Sequence, residues 1–563
     1  MQREIIVLKL GSSILRTRQD IPNAVHEIYR WYRTGIRVVA VVSAIGETTD
    51  DLIAQARELS PSPEPWAAAE LLATGERASA ALLAIALDRC GIPARIVDPR
   101  EIELTVAGGA RDSDPQSVNI ARLQSLLAQH PVLVVPGFFG AAADGRVHLL
   151  GRGGSDLSAV FLAEQLEAAQ CRLIKDVDGV YDVDPAVPRD HAPQRFATLS
   201  YADALRVAGR LIQPKAVSHL RQHGTCADVA GYARPYQSRV HTGATMLART
   251  STSPPLKVLL LGLGTVGFGV FQRLLANPEQ FLVQAALVRN PAKYEALGVP
   301  RRKLIMDLEQ LRAFQPDVVV DALSGLAPSR QLVDYFLSTG ADVVSANKSL
   351  IAESGAALVK VAAERGTTLS YSASVGGGTP MIEAVSRAAA QGPLAAIAAV
   401  LNGTCNFVLD CCSHGATLED ALAEAKQRGF AEADPTDDVS GQDALRKLHI
   451  LASHAFGRPP HVVEVHALDD MIAKEARAAL QAGMRLRQIS RVGRLGEKLF
   501  GSVKFERVPV QSAFGSLHDE QNGLEIEGKD GSTDLIRGRG AGRWPTAEAV
   551  LADLFDVWRS RAC

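Results

Sequence analysis

At 563 residues, with 47% hydrophobic and 22% charged residues, the chain has a globular make-up and is too long for one core, which implies about three or four domains. The 60 basic and 62 acidic residues leave a formal charge of −2, which argues against a nucleic-acid or anionic-membrane surface. No apolar run reaches transmembrane length, the start "MQREIIVLKLGSS" passes straight into a strand pattern without a signal-peptide core, and seven cysteines show no CxxC pair, so a reducing cytoplasm is the expected compartment.

Apolar runs alternate with Ala/Leu-rich helical stretches through the first half: "REIIVLKLG", "IRVVAVVSA", "PVLVVPGFFG" and "CRLIKDVDGVY". Such runs predict parallel strands covered on both faces. The first strand opens into Lys9-x-Gly11-Ser12-Ser13. Gly and Ser there expose backbone N–H groups to a phosphate, and Lys9 can neutralise transferring charge. The segment is not a P-loop, since GxxxxGK[ST] is absent, and taken alone a plain β-turn explains it as well.

Further segments follow in order: "VVSAIGETTDDLI" (41–53), "ATGERASAALLA" (73–84), "VVPGFFG" (134–140), "LGRGGSDLSA" (150–159), "KDVDGVYDVDP" (175–185) and "LIQPKAV" (211–217). Together they resemble the amino-acid-kinase family, and within it aspartate kinase, over 1–248. The resemblance implies a three-layer αβα domain that binds ATP with Mg²⁺. It implies that Lys9, with Gly11 and Ser12, faces the ATP phosphates, and that Asp176, Tyr181 and Asp184 lie along the nucleotide. Thr49, Glu76, Arg152 and Ser155 would hold aspartate, the Arg152 fork suiting a carboxylate. "KLGSS" departs from the usual aspartate-kinase "KFGGTS" towards glutamate kinases, and Gln213 stands where a His is usual. Another amino-acid substrate, or a module without catalysis, therefore stands as an alternative.

The stretch "ARTSTSPPL" is small, polar and Pro-rich, and 249–256 reads as a linker. A pair of regulatory ACT modules, which bifunctional relatives carry at this place, has no room there.

From Lys257 a strand, "KVLLL", runs into Gly262-x-Gly264-x-x-Gly267 and a helical "VFQRLLAN". This is the dinucleotide fingerprint in its proper strand–turn–helix context: the first Gly permits the turn, the second admits the pyrophosphate, and the third packs helix on strand. Thr265 and Val266 open the helix, whose free N–H groups would face phosphate. About 20 residues on, where NAD enzymes place an acid, "AALVRN" has Arg289, which favours NADP without excluding NAD.

Carboxylates then crowd "FAEADPTDDVSGQDALRKLHILA" (430–452), ahead of a helix starting near Gly441, where Asp443 and Lys447 share a face at i, i+4. "SANKSLIA" (345–352), "ASVGGGTPMI" (373–382), "NGTCNFVL" (402–409), this acidic segment and "GRGAGRWPTAEAVLADL" (538–554) occur in that order. The set closely resembles homoserine dehydrogenase over 256–563. It implies a Rossmann NAD(P) domain at 257–375, an α+β catalytic and dimerisation domain at 376–535, and a return to the Rossmann domain at 536–563. It also implies a homo-oligomer, dimer or tetramer.

By matched position Lys447 and Lys348 become the catalytic lysines, with Lys447 as proton donor. Glu432, Asp443 and Asp437 become substrate-binding acids. Asn347, Lys348 and Gly542 become cofactor contacts. A monovalent cation in the family is often held near "SVGGG" with help from an acid, but that position is Ser372 here. The carbonyls of Val375, Gly377 and Thr379 are the ligands left for Na⁺. The whole chain is expected to phosphorylate aspartate and to interconvert aspartate 4-semialdehyde and homoserine.

Overall fold

The computed structural model describes residues 4–187, 192–209, 211–248, 254–431, 434–496 and 498–562. The chain splits near residue 252 into two compact units.

In the N-terminal unit the run Ile5–Leu10 becomes a central strand, paired in parallel with Arg37–Val42 on one side and Gln170–Lys175 on the other. Every residue of these three strands after the first is buried, as apolar strands covered on both faces must be. The sheet has nine strands among the described residues, continuing through Val132–Pro136 to Ala94–Ile96 on one side. On the other it passes through Ala227–Gly231, Gln237–His241 and Phe196–Ser200 to Met246–Leu247. A smaller four-stranded sheet, among the described residues, includes Phe139–Ala141 and Val147–Leu149.

The Gly-rich turn at 151–153 launches the helix Gly154–Gln165, which is buried from its first residue to Ala163 and carries little polar face. A helix covered on all sides sits inside the domain, and the ion pairs of Asp156 fix its first turn against the carboxyl ends of the central strands.

The C-terminal unit opens with the strand Leu256–Leu261. Leu256 thus lies in the sheet rather than in the expected linker: it is 5% exposed, and its N–H donates to Gln280 O at 2.8 Å. Residues 249–253 lie outside the described residues. Six parallel strands among the described residues, taken in their own chain order, stand in the spatial order 3-2-1-4-5-6 of the doubly wound dinucleotide fold. The fingerprint therefore lies at the point where strand order reverses, beside the end of Val318–Asp321.

A second six-stranded sheet follows, again among the described residues, antiparallel except for the pairing of Val462–Val465 with Lys498–Pro509. Its edge strand runs Thr533–Arg539, past the expected boundary at 535, because the alternating ladder with Gln521–Gly528 is complete only at Arg539. The last helix, Arg543–Ala562, then returns to the dinucleotide-binding part. Phe555 packs edge-on against Phe281 at 4.9 Å between ring centres, and Arg561 donates to Asp342 at 2.7 Å. Among the described residues no helix is long and apolar enough to cross a membrane.

Candidate active sites

The dinucleotide turn fits its expected ligand. Any Cβ at Gly267 would overlap the carbonyl of Gly262, so only glycine allows helix and strand to meet there. The space around the Cα of Gly264 is open, and Gly264 and Thr265 are exposed. No side chain caps the helix Thr265–Leu275, which leaves its first N–H groups for an anion. Val266 is half-buried behind them, and Arg289 stands exposed two residues beyond the strand Phe281–Leu287.

Two strands along, a buried polar chain fixes Lys348. Asp321, fully buried, accepts from Ser329 Oγ at 2.7 Å and Ser345 Oγ at 2.9 Å. Burial pushes its carboxyl above the usual range against the pull of those hydroxyls. Ser345 Oγ accepts the N–H of Asn347 at 3.1 Å, and the Asn347 side chain caps the helix that begins at Lys348 by accepting from Leu350 N–H. The Asn347 amide N–H also donates to Gly325 O, 2.7 Å away. Through this cap Asn347 positions Lys348 at the start of its helix.

Lys348 reaches Asp443, which is 1% exposed and sits at the second position of the helix Gln442–Phe456. Lys447, one turn on, pairs with the other oxygen of Asp443 at 2.7 Å and donates to Leu401 O at 2.8 Å. Burial alone would raise the Asp443 carboxyl, but the Lys447 and Lys348 ammonium groups override it and hold the group well below the carboxylate range. Asn402, cap of the helix Gly403–Ser413, donates from its amide to Asp443 at 2.8 Å and Asp438 at 2.7 Å. Burial, then the neighbouring Asp443, push Asp438 upward.

The acid turned to this cluster is Asp438 and not Asp437. Neighbouring residues of the turn Thr436–Val439 point about 100° apart, and Asp437 faces out to pair with Arg446 at 2.5 Å. Glu432 lies outside the described residues. Asp438 is one of the carboxylates of the acidic segment, without a role of its own in the sequence reading; Asn402, in the quoted "NGTCNFVL", and Asp321 have none there either.

At the loop before the catalytic sheet, Val375 and Thr379 are buried and Gly377 has φ +55°. The Thr379 carbonyl already accepts from Met381 N–H at 2.8 Å. Ser372 donates its hydroxyl to Asp553 of the last helix at 2.9 Å, so an acid does stand beside this loop, supplied from another part of the chain. Gly542, at φ +112°, turns the chain into that helix.

In the N-terminal unit a cleft of about 980 Å³ is lined by Lys9, Ser12, Thr49, Glu76, Arg152 and Ser155, with Asp176 and Gln213 at its walls. Its floor is a charge triplet: Asp156 lies 2.9 Å from Lys9 Nζ and 3.0 Å from Lys175 Nζ. Burial would raise Asp156, but the two ammonium groups hold it below its ordinary range. Burial, then the charge of Lys9, draw Lys175 down to about 8. A Cβ at Gly11 would displace the Lys9 ammonium, so the small residue leaves Lys9 room to reach Asp156.

Burial pushes Glu76 up to about 7, although it accepts the Ala44 N–H at 3.2 Å. Tyr181 and Asp184 do not line the cleft. The Tyr181 hydroxyl donates to Asp178 at 2.5 Å, and Asp184 accepts from Ala186 N–H. Their loop closes on itself through these short-range bonds. Asp156 and Lys175, unassigned by the sequence reading, form the buried ion pairs of the cleft floor with Lys9.

Family models match the chain as amino acid kinase over 4–225, as homoserine dehydrogenase NAD binding domain over 262–372 and as homoserine dehydrogenase over 380–555. The chain is 34% identical over 320 residues to a homoserine dehydrogenase of Pseudomonas aeruginosa, covering 54% of this chain and 73% of that one. The chain belongs to the homoserine dehydrogenase family. A Bacillus subtilis homoserine dehydrogenase is 30% identical over 317 residues, covering 54% and 73%. The crystal structure of a homoserine dehydrogenase from Thiobacillus denitrificans has a TM-score of 0.52 at 34% identity, over 55% of this chain and 74% of that one. In this chain an amino acid kinase domain precedes the NAD-binding and catalytic domains of that family.

Proposed function

We propose that the C-terminal unit reduces aspartate 4-semialdehyde to homoserine with NADPH, and that the N-terminal unit phosphorylates L-aspartate with ATP. The observation that carries the first is the buried Asp443 held between Lys348 and Lys447 in the family's catalytic domain. When bound, NADPH supplies the hydride, and exposed Arg289 is the cation suited to its 2′-phosphate. The Lys447 ammonium, aimed by Asp443 and the Leu401 carbonyl, gives its proton to the carbonyl oxygen as alkoxide charge develops. Lys348 adds a second positive charge on the same side, and Asp438 is an acid for the substrate's ammonium group.

For the kinase, the supporting observation is the Lys9–Asp156–Lys175 triplet on the floor of the cleft. When bound, ATP supplies the phosphoryl group, with Mg²⁺ neutralising its charge. The attacking group is already a carboxylate, so the chain's task is placement and charge neutralisation rather than base catalysis. Lys9 and Lys175 lie where phosphate charge would collect, the Arg152 fork suits one substrate carboxylate, and Glu76 suits the ammonium group.

The test is ATP-dependent acyl phosphate formation by the full chain, trapped with hydroxylamine, with aspartate and glutamate side by side and semialdehyde-dependent NADPH oxidation in parallel. Hydroxamate from aspartate is expected. Preference for glutamate would reassign the substrate, and no product with either would make the N-terminal unit a non-catalytic module.

A further inference from the structure

Away from the cleft, the helices Gly154–Gln165 and Pro214–His223 bring Glu164, His219 and His223 together, with one ligand-type atom from each lying within 4.8 Å of the others. His219 Nε2 is 3.8 Å from one Glu164 oxygen, and His223 Nδ1 is 3.5 Å from the other. Both separations exceed a hydrogen bond, and His219 Nε2 is buried with no hydrogen-bond partner among the described residues. A buried, unsatisfied imidazole nitrogen costs free energy unless something else uses it.

The separations come close to those of a metal shell instead. Ligands about 2.1 Å from a tetrahedral Zn²⁺ stand about 3.4 Å apart. The two His are at i, i+4 on one helix, so they share a face. The position also favours a cation, since the cluster occupies the last turns of both helices, where the carbonyl ends carry partial negative charge.

We infer that Glu164, His219 and His223 form a site for a divalent transition metal of the Zn²⁺ class, with two imidazole ligands, one carboxylate and water completing the shell. The rings now stack 4.3 Å apart at 22°, so binding splays them until both lone pairs meet one ion. His223 is exposed at the rim and gives the ion its entry.

The role is structural. One helix starts at the Gly-rich turn of the kinase cleft, and the other starts behind Gln213, which packs against Gly153 in that turn. A metal at their far ends ties together the two elements that shape one wall of the cleft.

The test uses the full chain, stripped with a chelator and titrated with Zn²⁺ against a chromogenic competitor. Co²⁺ substitution and thermal melting are followed in parallel on wild type and on His219→Ala, His223→Ala and Glu164→Gln. One tight equivalent is expected in wild type, with Co²⁺ bands lacking thiolate charge transfer and a raised melting temperature of the N-terminal unit. Changes outside a metal shell already cost about tenfold or more, so each ligand variant should lose at least that while its metal-free melting stays near wild type. Zn²⁺ binding equal in wild type and all three variants, thiolate bands with Co²⁺, or no tight equivalent would each overturn the site. A variant with altered metal-free melting is replaced by His219→Asn, judged on the same titration.

Discussion

Two lysines share Asp443, but their surroundings differ: the Lys447 side chain is 11% exposed and that of Lys348 38%. Lys447, sealed and aimed by two acceptors, is the better placed proton donor. Lys447→Ala should therefore lower kcat for semialdehyde reduction by about a hundredfold or more, with NADPH affinity and kinase rate unchanged. Near-wild-type turnover would remove Lys447 from that role. Arg289→Asp should move the kcat/KM preference from NADPH towards NADH, because a carboxylate there repels a 2′-phosphate and accepts from a ribose diol. An unmoved preference would assign the phosphate to another cation. Glu76 sets a pH dependence. Its carboxyl is raised to about 7 by burial, so below that pH it is protonated and holds an ammonium group poorly. The KM for the amino acid should fall as pH rises through about 7, and Glu76→Gln should flatten that limb of the profile.

Strand pairing brings the kinase lysines together. The strands Ile5–Leu10 and Gln170–Lys175 run in parallel with Lys9 opposite Leu173, so Lys175 lies two residues further along on the same face, diagonal to Lys9 at the carboxyl ends. The first turn of the helix Gly154–Gln165 lowers Asp156 between them. Removing that carboxylate leaves two ammonium groups, each under 10% exposed, without their shared counter-ion. Losing one partner of such a buried pair costs about 3–5 kcal/mol. Asp156→Ala should abolish phosphorylation and lower the melting temperature of the N-terminal unit, while the dehydrogenase rate stays at the wild-type value. An unchanged melting temperature with lost phosphorylation would limit Asp156 to a chemical role. In the dehydrogenase the corresponding device is the chain from Asp321 through Ser345 to the cap residue Asn347, which sets the first turn of the Lys348 helix.

For the molecule as a whole, the two activities proposed are not consecutive. An acyl phosphate must be reduced to the semialdehyde between them, so product is not passed directly from one site to the other. The join is short as well. Only Arg249 to Leu256 separate the kinase-like sequence from Lys257, and Leu256 is already strand. A βαβ crossover needs at least about 10–12 residues besides its strands, so no effector-binding module fits in the join. Without differential binding an effector cannot shift a state. Threonine and lysine at millimolar levels should leave the kinase rate unchanged at saturating aspartate. Saturable, cooperative inhibition would reveal an effector site elsewhere in the chain.

The sequence by itself determined what depends on neighbours along the chain. Apolar runs ending in glycine turns specify the buried parallel strands and the Gly262–Gly267 turn, and the i, i+4 spacing alone puts Lys447 beside Asp443. Tertiary structure decided which of several plausible groups converge. Lys348 reaches Asp443 from 95 residues away, Asn402 joins Asp438 to Asp443, and Asp156 pairs with Lys9 across two elements. No local pattern encodes such contacts, because they depend on strand order and on the direction each side chain leaves its backbone. Direction is also why Asp438 faces the site and Asp437 pairs with Arg446: two identical residues, adjacent in sequence, are separated only by the turn of a helix.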